Sequence, residues 1–277
     1  MSNYYKPSGK FSPISFVYLL LVCVIAMPIL ATIYAYLIWY IPFVYINFLI
    51  TAGLGFAIGI AVWQIVIKLG KVRNYGLAIL LALIAALAAY YFQWVVWTNL
   101  VLTSSGEESQ LLYLLSNPFD LFQLIGFINE NGTWSFKGAV VSGTFLTIIW
   151  IIELLIIIGV AIFIAIPHSK HPFNETLDEW FEEVELPAFS YIENVSDFKR
   201  QAEQGNWEQL STVIQRGDKG TNHSVFTLYT SANEYYLSVS NATAKKNKKD
   251  KIEFDTEDFI KYLSIDKTVY DLLKSKI

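Results

Sequence analysis

The chain has 277 residues, 54% of them apolar and 16% charged, with a formal net charge of −4. Residues 1–167 hold six Lys/Arg and five Asp/Glu, and residues 168–277 hold the remaining fourteen and nineteen. This partition separates an apolar block from an acidic, soluble-type segment, and the lack of a large basic face argues against a nucleic-acid partner. One cysteine, Cys23, excludes an intramolecular disulfide, a zinc cluster and a CxxC redox pair.

Residues 1–13 read as an N-terminal tail. A membrane-crossing helix needs about 20 apolar residues, and four runs supply them: 14–40, 43–67, 75–102 and 138–167. The first is longer than the apolar core of a signal peptide, roughly 7–15 residues, so it reads as a retained span. Pro28 in mid-run predicts a kink. Between the first two runs only Ile41-Pro42 break the pattern, and Trp39, Tyr40, Phe43 and Tyr45 around them suit a membrane–water interface.

Orientation follows from Lys and Arg. Lys6 and Lys10, then Lys68, Lys71 and Arg73, then Lys170 all fall on one side if both termini are cytoplasmic. The loop 103–137 carries only Lys137 against Glu107, Glu108, Asp120 and Glu130, and belongs outside. A multi-pass protein of a bacterial plasma (inner) membrane, N-in and C-in, is the expectation. The segment Asn117–Trp150 resembles a module of bacterial inner-membrane proteins, without a motif that attaches it to a family.

Thr51, Gly55 and Gly59 in the second run and Ala78, Ala82 and Ala86 in the third recur every fourth residue. Such stripes let helix backbones approach closely in lipid. With only 69–74 between them, spans two and three are expected to pack together, and an oligomer through the same glycines is the competing use.

The loop 103–137 predicts two short interfacial helices, the second starting at Asn117-Pro118. It reads as a lid over the outer ends of the spans, with Asp120 and Trp134 as a candidate ligand or partner site. Inside the apolar runs stand Gln93, Asn99 and Glu153, the last with Trp150 one turn earlier. An intramembrane carboxylate is costly without a partner, and no Lys or Arg matches the depth of Glu153. Its functional reading is a proton or cation site. Its structural reading is a neutral carboxyl hydrogen-bonding between helices, and this is the better supported, because four spans with one carboxylate make a poor transport path.

After Pro167 the pattern is that of a soluble domain, 172–277. Asn174 predicts a helix cap for 175–185, whose Glu175, Asp178, Glu179 and Glu182 share a face; that spacing could hold a divalent cation by oxygen ligands, but an exposed acidic face is the better explanation. Ser196 predicts a cap for 197–204, and a helix 207–216 follows. Strand patterns at 225–230, 234–240 and 251–255 follow, the first two joined by Ser231-Ala232-Asn233. Helices at 257–263 and 267–274, capped by Thr256 and Asp266, complete the pattern. Lys245, Lys246, Lys248 and Lys249 form a loop tip that anionic lipid would attract. Asn131, Asn174, Asn194, Asn222 and Asn241 each begin an N-x-S/T triplet.

The fold class expected is a membrane all-α block of four transmembrane helices, followed by a small soluble α+β domain with a three-stranded antiparallel sheet. GxSxG, HExxH, P-loop and GxGxxG are absent, so no catalytic residues, metal or cofactor are assigned. The leading functional expectation is a membrane anchor for a cytoplasmic protein-interaction or regulatory domain. A small transporter or channel component centred on Glu153 comes second, and third a membrane enzyme with a pocket of Gln93, Asn99, Glu153 and Trp134.

Overall fold

The structure, a computed structural model, describes residues 4–41, 43–132, 135–136, 139–246 and 250–276. It divides into two compact units, one spanning Ser8–Lys170 and the other made of the segment before Ser8 together with the chain from His171 onward.

The first unit is helical. Helices α1 (Ile14–Tyr40), α2 (Tyr45–Leu69) and α3 (Tyr75–Ser104) are long and apolar enough to cross a membrane. Two short helices follow, α4 (Leu111–Ser116) and α5 (Pro118–Asn131), then a two-residue strand pair, β1 (Ser135–Phe136) with β2 (Ala139–Val140). The fourth long helix, α6 (Gly143–Ala165), continues into a 3-10 turn, Ile166–Lys170. Leu20, Leu49, Leu155 and Phe163 remain exposed on the perimeter, the apolar rim that a chain solvated by lipid requires. Residues Val22–Ala26 of α1 wind as a wider π turn immediately before Met27-Pro28. The predicted distortion therefore sits one turn ahead of the proline, where the Pro28 ring would otherwise crowd the carbonyl of Val24.

The expected pairing of spans two and three is not the main contact. Helix α2 packs along α6, and α1 along α3. A Cβ on Gly55 would stand 2.8 Å from the Ile157 carbonyl oxygen, and one on Gly59 2.6 Å from Ile164 Cβ and 2.9 Å from the Ala161 oxygen. The glycine stripe thus brings α2 against α6, while Ala31 and Ala35 of α1 and Ala78, Ala82, Ala85, Ala86 and Ala89 of α3 are buried. Between α2 and α3 the turn is held by the preceding segment instead. Arg73 N donates to Lys10 O (2.8 Å), Ser12 N to Gly70 O (3.2 Å) and Asn74 Nδ2 to Gly9 O (3.0 Å). Small residues announce close approach without naming the helix that approaches.

The second unit is a sheet covered on one face by helices. Two-residue strands β3 (Phe173–Asn174) and β4 (Glu179–Trp180) pair with each other. A five-stranded antiparallel sheet follows, of β5 (Glu182–Glu185), β6 (Phe189–Ser190), β7 (His223–Ser231), β8 (Glu234–Lys246) and β9 (Ile252–Ile265), in the order β5-β7-β8-β9 with β6 also on β7. The expected three-stranded sheet is therefore enlarged at its β7 edge, and its third strand is much longer than 251–255. Helices α7 (Val195–Glu203), α8 (Trp207–Val213) and α9 (Lys267–Lys274) supply the cover, with Phe198, Leu210 and Leu273 packed on Phe189, Phe226, Leu237 and Ile260.

Three local expectations are corrected. Asn174 does not cap a helix over 175–185: its Oδ1 accepts from the amides of Thr176 (2.9 Å) and Leu177 (3.0 Å), closing a turn between β3 and β4. The acidic residues 175–182 consequently have no shared helical face for a cation. The helix before Gly205 is capped by Asn194, whose Oδ1 accepts from Asp197 N, rather than by Ser196. Residues 257–263 belong to β9 and not to a helix. The Asp266 cap does form, with Oδ1 accepting from Val269 N at 2.8 Å.

The N-terminal tail splits between the two units. Tyr5 N donates to Tyr262 O (2.9 Å), Tyr4 bridges to Leu263, and the Tyr4 hydroxyl donates to Glu203 Oε1 (2.6 Å). Residues 4 and 5 therefore extend the sheet beside β9, a contribution that a fragment beginning at residue 172 would lack.

Candidate functional site

A cavity of ≈ 700 Å³ lies within the helical unit, walled by α1, α2, α3, α5 and α6. Helical spacing explains who faces it. Glu153, Trp150, Ile149 and Leu146 recur at three- and four-residue intervals on α6, and Gln93, Trp97, Val101 and Ser104 do the same on α3. From α1 come Tyr34, Ile38 and Trp39, from α2 Asn47 and Phe48, and from α5 Phe127, Ile128 and Asn131.

Hydrogen bonds fix part of this wall. Thr51 Oγ1 donates to its own helix at Asn47 O (2.8 Å), which leaves it to accept from the Tyr34 hydroxyl at 3.0 Å. Tyr34 and Thr51 are both buried, so α1 and α2 are locked together beside the cavity. Tyr90 OH donates to Trp150 O (3.3 Å), tying α3 to α6. Trp94 meets Trp150 edge-on at 4.7 Å and Trp97 at 5.5 Å, a geometry that aromatic quadrupoles favour. Neither the Tyr34 and Tyr90 hydroxyls, which lie within coulombic range of Glu153, nor any other described group makes an ion pair or hydrogen bond with its carboxyl. Of the described residues lining the cavity, Glu153 alone carries a formal charge.

The structure thus brings Gln93, Trp150 and Glu153 to one cavity and places Asn99 and Asp120 elsewhere. Asn99 is occupied elsewhere: its Oδ1 accepts from Gln110 N (2.8 Å) and Ser109 Oγ (3.2 Å), pinning the chain between α3 and α4. Asp120 accepts the Tyr113 hydroxyl on the surface of α5, and this bond holds the Tyr113 phenol above its usual range. Neither lines the cavity. Trp134 lies outside the described residues, as do Lys248 and Lys249. Lys245 pairs with Asp255 at 2.5 Å across the β8–β9 ribbon, and Lys246 approaches Asp250 at 3.9 Å. Both lysines are exposed, so these contacts contribute little stability.

Sequence reasoning overlooked Tyr34, Asn47 and Thr51 as site residues. The usable signal was the four-residue spacing of Asn47 and Thr51, two polar groups on one face of an apolar helix.

A second polar cluster lies in the sheet unit. Tyr229 OH donates to Glu183 Oε1 (3.5 Å), His171 Nδ1 lies 3.9 Å from Glu183 Oε2, and Tyr262 packs edge-on to Tyr229 and Tyr5. Burial pushes the Glu183 carboxyl and the Tyr229 and Tyr262 phenols up. Among the described residues no group of three or more His, Cys, Asp or Glu is placed to hold a metal ion. Comparison with protein-family models, with curated proteins and with solved structures finds no match to this chain.

Proposed function

We propose that this chain is a multi-pass membrane protein that binds a small molecule within its helical unit. The observation that carries the reading is the convergence of Gln93, Trp150 and Glu153, from two helices, on a ≈ 700 Å³ cavity to which all four long helices contribute. Ligand sites are concave, mainly apolar and provided with a few directed polar groups, at volumes of roughly 300–1,000 Å³. Tying α1 to α2 and α3 to α6 by hydrogen bonds pre-forms the wall, which reduces the ordering cost of binding. A binding role takes precedence over a protein-docking role for the sheet unit, whose exposed large apolar side chains among the described residues are Leu177 and, on β9, Ile252 and Phe254. An enzymatic pocket loses support because Asn99 serves the loop.

The test is a thermal-shift screen of the purified full chain against small molecules, run beside Ile149→Trp, which fills the cavity. A ligand at about 100 times its Kd should add about 2.7 kcal/mol to the wild-type protein, and Ile149→Trp should abolish the shift. Compounds that shift both proteins equally, or a screen without a shift, overturn the reading.

We also infer that both termini face the cytoplasm. Lys10, Lys68, Lys71, Arg73 and Lys170 gather at one end of the helical unit, and cytoplasmic loops carry such an excess. In a Cys23→Ser background, a membrane-impermeant maleimide should label Glu108→Cys in intact cells and Lys10→Cys only after permeabilisation. The opposite pattern overturns the orientation.

A further inference from the structure

We infer that the cavity takes an organic cation with an apolar body, an ammonium or phosphonium rather than an anion or a metal ion. The inference rests on the reading of the cavity as a ligand site and specifies its chemistry. Of the described lining residues, Glu153 alone is formally charged, so among them the site offers one negative charge and no Lys, Arg or His to balance it. An anion would meet Glu153 with no cation among the described lining residues to attract it. A hard metal ion is held by about six or more oxygen ligands, carboxylates foremost, whereas Glu153 is the one carboxylate among the described lining residues, and Tyr34, Asn47, Gln93, Ser104, Ser105 and Asn131 each add a single neutral side-chain oxygen.

An organic cation uses both features of the wall. Its charge neutralises a carboxylate that the membrane interior penalises when it stands alone. Its body meets the rings of Tyr34, Trp39, Trp97 and Trp150, and aromatic faces attract a desolvated cation with Trp the best of them. The edge-on contact of Trp94 with Trp150 holds part of this wall in place before a ligand arrives.

The experiment titrates the full chain in lipid nanodiscs with three probes of similar shape: tetraphenylphosphonium, tetraphenylborate and neutral triphenylphosphine oxide. Empty discs correct for partitioning. Tetraphenylphosphonium should bind wild type at least about tenfold more tightly than either other probe, and Glu153→Gln should remove that preference. Gel filtration and circular dichroism check that Glu153→Gln is folded. If it is not, Glu153→Asp, which keeps the charge, should retain the preference for the cation while Trp150→Leu weakens it. Equal binding of the neutral probe and the cation, unaffected by Glu153→Gln but lost in Ile149→Trp, overturns the cation assignment and leaves the cavity reading standing. No binding of any probe to wild type overturns both.

Discussion

Gly59→Leu is expected to destabilise the helical unit by about 3 kcal/mol, the upper part of the range for overpacking a close contact. A Cβ at this position would stand 2.6 Å from Ile164 Cβ and 2.9 Å from the Ala161 carbonyl oxygen. One of those atoms is backbone, so no rotamer change relieves the contact and α2 must move off α6. Gly55 meets the same helix a turn earlier, with Ile157 O at 2.8 Å and Val160 Cβ at 2.9 Å, so a leucine there should act in the same direction. Gly53 is the internal control, since nothing lies within 4 Å of a Cβ built on it. All three substitutions gain similar helix propensity, and the difference between Gly59→Leu and Gly53→Leu therefore isolates the clash. Unfolding in mixed micelles by titration with a denaturing detergent measures it. Equal midpoints for the two variants would show that α2 does not approach α6 through Gly59.

The same contact marks the limit of what the residues announce. The four long helices are legible because length and apolar content act within one segment, and so is the start of α5 at Pro118. Which helices adjoin is not legible, because a stripe such as Thr51-Gly55-Gly59 describes one surface and packing is a property of two. The cavity is hidden for the same reason. Glu153 with Trp150 is visible as one face of α6, but whether that face meets a helix or a void depends on α1, α2, α3 and α5 together. The misread strand has a different cause. Tyr262 adopts φ +60°, and the β8–β9 register shifts twice between Leu237 and Ser240, so two extra residues are accommodated in β9. Buried Ile260, Tyr262, Leu263 and Ile265 then lose strict alternation and imitate the three- and four-residue spacing of a helix. Asn174 illustrates a third ambiguity: an Asn side chain satisfies the two amides that follow it equally well in a turn and at a helix start.

Asn241→Ala is expected to cost the sheet unit about 2–4 kcal/mol, because it strands two buried polar groups at roughly 1–3 kcal/mol each. As an N-x-S/T triplet Asn241 looks like a surface residue, yet it is 6% exposed. Its Oδ1 accepts from Ser224 Oγ at 2.6 Å, and its Nδ2 donates to Ile192 O at 2.9 Å. Ile192 N in turn donates to Ser224 Oγ at 3.1 Å, closing a ring of three residues from β7, β8 and the segment leading into α7. Alanine removes a donor and an acceptor at once. The Ile192 carbonyl then has no side-chain partner, and the Ser224 hydroxyl has lost the atom to which it donates. Asn241→Asp separates the two halves of this account, since a carboxylate still accepts from Ser224 but confronts Ile192 O with an acceptor. It should therefore be destabilised at neutral pH and partly recover on acidification, when a protonated carboxyl donates to Ile192 O. Chemical denaturation of the full chain, followed by hydrogen exchange at the β7 and β8 amides, measures both variants. An Asn241→Ala change within about 0.5 kcal/mol of wild type, the range typical of a surface substitution, would mean that the ring does not hold β7, β8 and the Ile192 segment together.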